Sequence, residues 1–116
     1  MPGGALEVGE TPAAGVEREA FEETGVRCRA TALIGVHDSR LLGGESAFQL
    51  YQLLFLCRPQ DATALGQGSH RHEVLDVRWF AERDVPMEQM DLGHQGRIAE
   101  AYRVWRGDTQ AYFCLL

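Results

Sequence analysis

The chain has no apolar run near the ~18 residues that a membrane-spanning helix requires. Its first residues, "MPGGALEVGE", carry neither the basic nor the apolar region of a signal peptide. These two absences make the cytoplasm the expected location and leave no expectation of a membrane partner. Cysteine is scarce: Cys28, Cys57 and Cys114 are far apart, odd in number and without metal-ligand spacing, the usage of a reduced cytosolic protein rather than a disulfide scaffold. Cys57 sits inside "LYQLLFLC", where a thiol is expected to be structural and inert, because reactivity needs an electropositive, accessible setting. Positive charge is also in deficit. A formal net charge of −6 argues against nonspecific nucleic-acid binding, and a phosphate compound handled by such a chain calls for a mediating cation. No internal repeat or low-complexity stretch is visible. What remains is a composition ordinary for a soluble protein, 45% hydrophobic and 24% charged, in 116 residues that fit one domain.

The pattern of apolar and breaker residues gives the order helix, strand, strand, strand, helix. Thr11 and Pro12 read as N-cap and first helical residue, and Gly25 as the stop, so a helix is expected at about 12–24 with Ala13, Val16, Ala20 and Phe21 toward the core. Gly15 weakens its first turn. "VRCRATALIGVHDS" reads as a strand at about 26–38, and "LLGGES" as a loop. "AFQLYQLLFLCR" is apolar on both faces and is expected to be a central strand covered on both sides. "VLDVRWF" alternates as a short third strand, and a last helix at about 93–106 carries the stripe Ile98, Ala101, Tyr102 and Trp105. For the tail "DTQAYFCLL" a docked segment and an exposed end both stay open. This order suggests an α/β sandwich on a modest sheet.

The chemistry concentrates in "GVEREAFEETGV", residues 15–26. On a helix Glu19, Glu22 and Glu23 stand three and four residues apart and project from one face. Like charges so placed repel by a few tenths of a kcal/mol per pair (~0.2–0.5), and no lysine is interleaved to relieve them. A solvated acidic face is the ordinary explanation of such a run. The surroundings weigh against it: from Gly4 the chain runs glycine, five residues, Glu10, seven residues, then Arg18, Glu19, Ala20, any, Glu22, Glu23, any, Gly25, Val26. From average composition, seven such fixed residues coincide by chance on the order of once in a billion windows. Hard carboxylate oxygens on one face suit Mg²⁺, and a pyrophosphate is attacked by water once divalent cations neutralise its oxygens.

This pattern resembles the Nudix box of the Nudix hydrolase (MutT-like) family. The resemblance implies a Nudix-type α/β/α sandwich with a mixed sheet, and Mg²⁺ or Mn²⁺ held by Glu19, Glu22 and Glu23 with the Gly4 carbonyl as a further ligand. It assigns Glu10 and Arg18 to a structural pair tying the box's loop to its helix, and leaves Glu17 as a solvated residue outside the pattern. "GVHDSRLLGGESAFQLYQLLFLCRP" and "HEVLDVRWFAERDVP" resemble the branch that includes CDP-choline pyrophosphatase and ADP-ribose hydrolases, in which a glutamate precedes the strand ending in "WF". That places Glu73 as an additional metal ligand or the general base, in competition with Glu22 and Glu19; an exposed loop carboxylate is the alternative. Of the histidines, "HRHE" offers His70 and His72 to a metal, and His72 to the phosphates, although solvent exposure is the commoner fate of such a pattern. His37 and His94 are weaker still. In "HDSR", Asp38 and Arg40 are open to substrate contact, with a strand-ending turn as the plainer reading.

The family's usual entry into the box is preceded by strands, whereas "PGG" here stands at residues 2–4. The fold is therefore expected to be N-terminally truncated: a start assigned too late, a chain deliberately shortened, or a natural short form completed by association. An exposed sheet edge favours association, which makes a homodimer an expected form. The resulting reading is a metal-dependent hydrolase that cleaves the pyrophosphate of a nucleoside diphosphate linked to X, ADP-ribose-like or CDP-alcohol, as small-molecule substrate. An 8-oxo-nucleoside triphosphate is a further candidate. The competing reading is a nucleotide-binding module or sensor with little turnover for want of the N-terminal strands, and a third is a folded interaction protein.

Overall fold

A computed structural model describes residues 1–42, 47–70, 72, 74–108 and 112–113. The first helix, α1, spans Pro12–Thr24: the Thr11 hydroxyl accepts from the Ala14 N–H at 3.2 Å, and Pro12 stands at the position where a missing N–H costs nothing. Gly25 ends it in the left-handed conformation (φ 78°), its N–H donating to the Phe21 carbonyl at 2.8 Å. Strand β1 covers Arg27–Asp38, β2 Tyr51–Asp61, the second helix α2 Leu92–Trp105, and β3 Tyr112–Phe113. Asp91 caps α2 by accepting from the His94 N–H at 2.8 Å.

The sheet runs β2-β1-β3. β3 pairs with β1 in parallel, Gly35 opposite Tyr112 and Val36 opposite Phe113. β2 lies antiparallel to β1, since Ser39 bonds Leu50 at one end while the thiols of Cys28 and Cys57 meet at the other. The sheet is thus mixed, as expected. The tail, left undecided by the sequence, supplies the third strand. Burial pushes the Cys57 thiol up to about 12 and raises that of Cys28 too, as befits inert structural thiols.

Several expectations are corrected. Among the described residues β2 stands at the edge of the sheet and β1 at its centre; apolar residues on both faces report layers above and below a strand, not neighbours beside it. β2 also begins at Tyr51, leaving Phe48 and Leu50 exposed before it. Residues 74–80 form no strand. They keep the alternation of one, with Arg78 reaching Asp76 at 3.0 Å and lying 5.4 Å from the Phe80 ring on the same side, but among the described residues no ladder partner meets them. Leu75 and Trp79, on the other side, are exposed. In α2 the most buried residue is Arg97, while Trp105 is exposed, so the apolar stripe is only partly covered. The region "LLGGES" falls partly outside the described residues.

The chain groups into two compact units: residues 1–31 with 57–85, and residues 32–56 with 86–116. The first holds α1 and buries Ala20 and Val26; the second holds α2 and buries Ile34 on β1. Inside the first unit a turn at 62–70 closes over the end of α1. Gly66 N–H and His70 N–H donate to the carbonyls of Thr24 and Glu22, both at 2.8 Å, satisfying acceptors that a helix end leaves free. A Cβ on Gly25 meets the Ala64 carbonyl group, its carbon at 2.8 Å, and one on Gly68 meets the backbone of Glu22 and Glu23 at 2.8–2.9 Å. Only glycine permits this approach.

Gly25→Ala is expected to lose stability beyond the ~1–3 kcal/mol of a non-glycine residue at positive φ, because Ala64 also obstructs it. Gly66→Ala, at φ +80° with no neighbour within 4 Å of its Cβ, carries the φ cost alone. Urea denaturation of the two variants checks the order; equal losses contradict the close approach.

Candidate active site

Everything in this site lies in the first unit and is built around α1. Arg18 projects between the helix and the loop before it, and its guanidinium uses all five donors. Nε and Nη2 grip Glu10 in a fork at 3.0 and 2.8 Å, Nη2 also reaches the Ala5 carbonyl at 3.1 Å, and Nη1 reaches Glu19 Oε1 and Glu22 Oε2, each at 3.0 Å. The Glu10–Arg18 pair expected from the sequence is therefore formed. Arg18 does more than was expected, since it also holds two of the three clustered carboxylates. That is the local answer to their repulsion: one fixed cation between Glu19 and Glu22.

Loop residues 3–10 complete the arrangement. Glu10 accepts the Glu7 N–H at 2.8 Å as well as the Arg18 fork, which folds the loop on itself. These bonds, with Arg18 the larger cause, hold the Glu10 carboxyl down to about 2, and Glu10 in turn raises Arg18. Gly15, which weakens the helix as a propensity matter, is needed because a Cβ there runs into Leu6 and stands 3.0 Å from Glu10 Oε1. Gly4 lies against the Glu19 carboxylate, whose carbon is 2.6 Å from where a Cβ stands, and Gly3 N–H donates to Glu23 Oε2 at 3.2 Å. The "PGG" backbone thus lies against Glu19 and Glu23.

Glu17 is not a merely solvated residue. Its Oε1 accepts the Ala30 N–H of β1 at 2.9 Å, tying the helix to the strand. Sequence reasoning missed this because the bond joins positions thirteen apart with no local signature. His70, weighed as one half of "HRHE", lies beside the site, with Nδ1 3.6 Å from Glu22 Oε2 and its ring 6.2 Å from that of His72. The turn at 62–70 brings it there. Glu73 lies outside the described residues.

The other candidates belong to the second unit. Asp38 is gripped by Arg40 at 2.6–3.1 Å and by the Gln49 side-chain amide at 3.1 Å, bonds that hold its carboxyl down to about 2; it closes the strand-ending turn. His37 is buried, and burial lowers its pKa; His94 pairs with Asp91 at 3.1 Å at the start of α2.

Among the described residues no three His, Cys, Asp or Glu side chains are gathered tightly enough to hold a metal. Arg18 occupies the place between Glu19 and Glu22. The donor set nonetheless fits a hard divalent cation, being carboxylate oxygens on one helical face with backbone of the loop against them.

A NUDIX domain model matches residues 1–102. The chain is 42% identical over 104 residues to a MutT-like protein of Streptomyces ambofaciens, covering 90% of this chain and 55% of that protein. It is 28% identical over 105 residues to the 8-oxo-dGDP phosphatase NUDT18 of Homo sapiens, covering 89% and 30%. Among solved structures, a UDP-X diphosphatase matches with a TM-score of 0.73 at 23% identity, over 98% of this chain and 54% of that one. A NUDIX hydrolase from Nitrosomonas europaea matches with a TM-score of 0.71 at 23% identity, over 96% and 60%. The chain spans about half the length of the MutT-like protein and under a third of NUDT18. At such identities the structural likeness speaks for the α/β fold.

The Glu10–Arg18 fork sets an acid limit. Because the Glu10 carboxyl is held at about 2 against an ordinary 4.5, its stabilising contribution is complete above about pH 4.5 and disappears as pH falls toward 2. Thermal midpoints across that window are expected to fall in the wild type and to fall less steeply in Glu10→Gln, which starts lower at neutral pH. Parallel slopes refute this.

Proposed function

The chain belongs to the Nudix hydrolase family, and from that premise we propose that it hydrolyses the pyrophosphate bond of a nucleoside diphosphate linked to a second group X, ADP-ribose-like or CDP-alcohol. The observation that carries this reading is the gathering of the box residues around α1: Gly4 lies against the Glu19 carboxylate, Gly3 N–H bonds Glu23, and Arg18 bonds Glu10, Ala5, Glu19 and Glu22. Glu19, Glu22 and Glu23, with the Gly4 carbonyl, are the proposed ligands of Mg²⁺ or Mn²⁺. A divalent cation bound there supplies neutralisation of the pyrophosphate oxygens and a more acidic water.

The chain's own residues do the rest. Arg18 holds Glu19 and Glu22 near one another against their repulsion. Water attacks one phosphorus, the bridging P–O bond breaks, and a nucleoside monophosphate and phospho-X leave. A carboxylate takes the proton of the attacking water; Glu22, Glu19 and Glu73 are the proposed bases. The 28% identity to a protein named as an 8-oxo-dGDP phosphatase makes 8-oxo-dGDP a second substrate to test.

Phosphate-product release with Mg²⁺ or Mn²⁺ from ADP-ribose, CDP-choline, UDP-glucose, 8-oxo-dGDP and nucleoside triphosphates tests the reading. Metal-dependent turnover is expected for the X-linked diphosphates, with Glu22→Gln slower by about 10²–10⁴-fold. Binding without turnover across the panel identifies a sensor instead.

A further inference from the structure

Each carboxylate of the acidic face gives one oxygen to the protein: Glu19 Oε1 and Glu22 Oε2 accept from Arg18, and Glu23 Oε2 accepts from the Gly3 N–H. Glu22 differs in having a second polar neighbour at that same oxygen, His70 Nδ1 at 3.6 Å. Its other oxygen, Oε1, accepts no hydrogen bond among the described residues. The backbone puts His70 there. The turn at 62–70 is fastened to the end of α1 by Gly66 N–H and His70 N–H, which donate to the carbonyls of Thr24 and Glu22 at 2.8 Å. Gly68 lies so close that a Cβ on it meets the backbone of Glu22 and Glu23. His70 thus meets one residue twice, its main-chain N–H on the Glu22 carbonyl and its ring beside the Glu22 carboxylate.

A neutral imidazole has one N–H and one lone pair, and a carboxylate repels the lone pair, so the nitrogen that faces Glu22 is the one that carries the proton. Arg18 and His70 therefore both present N–H groups to Oε2, the arginine in a formed bond at 3.0 Å and the histidine as a longer electrostatic contact. Two donors at one oxygen orient a long, flexible side chain and leave its second oxygen unspent. We propose that His70 is a positioning residue for Glu22: together with Arg18 it holds Oε2 and leaves Oε1 for the divalent cation, without being a ligand itself. This rests on the assignment of Glu22 as a metal ligand in the hydrolase reading above and deepens it. Carboxylate ligands are held by such outer partners, whose loss costs about 10–100-fold in metal affinity or activity.

Mn²⁺ binding to the 116-residue protein in the absence of substrate, followed by the electron paramagnetic resonance signal of the free ion, tests it. The dissociation constant is expected to rise about tenfold in His70→Ala. In His70→Asn it is expected to return toward the wild-type value, because the asparagine amide offers a donor at the position of Nδ1. Both substitutions keep the backbone bond to the Glu22 carbonyl. The proposal is overturned if His70→Ala binds Mn²⁺ as the wild type does or more tightly, if both variants lose binding alike, or if the wild type binds none. Turnover of the X-linked diphosphates separates this from the hydrolase reading. Binding that depends on His70 without any product supports the positioning role and overturns the hydrolase reading; turnover with binding indifferent to His70 does the reverse.

Discussion

Most of this site depends on one guanidinium. Three carboxylates on a single helical face repel, and a loop with three glycines has little reason of its own to stay against a helix. Arg18 resolves both problems with one planar group: two donors fix Glu10 and thereby the loop, one reaches the Ala5 carbonyl, and the last two go to Glu19 and Glu22. An ammonium is a point charge with three donors and lacks the fork that Glu10 engages. The loop's bonds, the spacing of the carboxylates and the depressed Glu10 carboxyl all follow from the position of that one plane.

The elements that the sequence announces clearly are those governed by local chemistry. Thr11, Pro12 and Gly25 mark α1 to the residue, because capping is decided within four residues; α2, expected at about 93–106, spans Leu92–Trp105 and is capped by Asp91. The box residues were legible for a related reason: spacing on a helix dictates which side chains share a face. What the sequence conceals is nonlocal. Glu17 bonds Ala30, and His70 reaches Glu22, through turns whose geometry no short window encodes. The alternation at 74–80 carries no information on whether a second strand lies alongside. β2 illustrates the same gap, with its faces predictable and its edge position not.

Glycine does two kinds of work around α1. At Gly25 the backbone conformation itself demands it, while at Gly15 and Gly68 the helix or turn is ordinary and the demand comes from what presses against it: Leu6 and Glu10 in one case, the carbonyl end of the helix in the other. Losses of helix propensity at such positions are offset by close approach, which delivers the loop at one end of the carboxylate face and His70 at the other. The helix is thereby framed by its neighbours at both ends.

Glu17 adds a constraint of a different sort. A helix with an active face must be fixed in rotation about its axis as well as in place, and Glu17, gripping β1 through Ala30, points away from the side where Glu19, Glu22 and Glu23 emerge. It serves as an index mark for angular phase. Because each residue advances a helix by about 100°, inserting a single residue between Glu17 and Glu19 turns the acidic face by more than a quarter of a circle while the strand keeps its grip. Length is therefore less negotiable in this two-residue interval than composition is, and a chain that keeps every charged residue of the motif can still lose the site by a change in count.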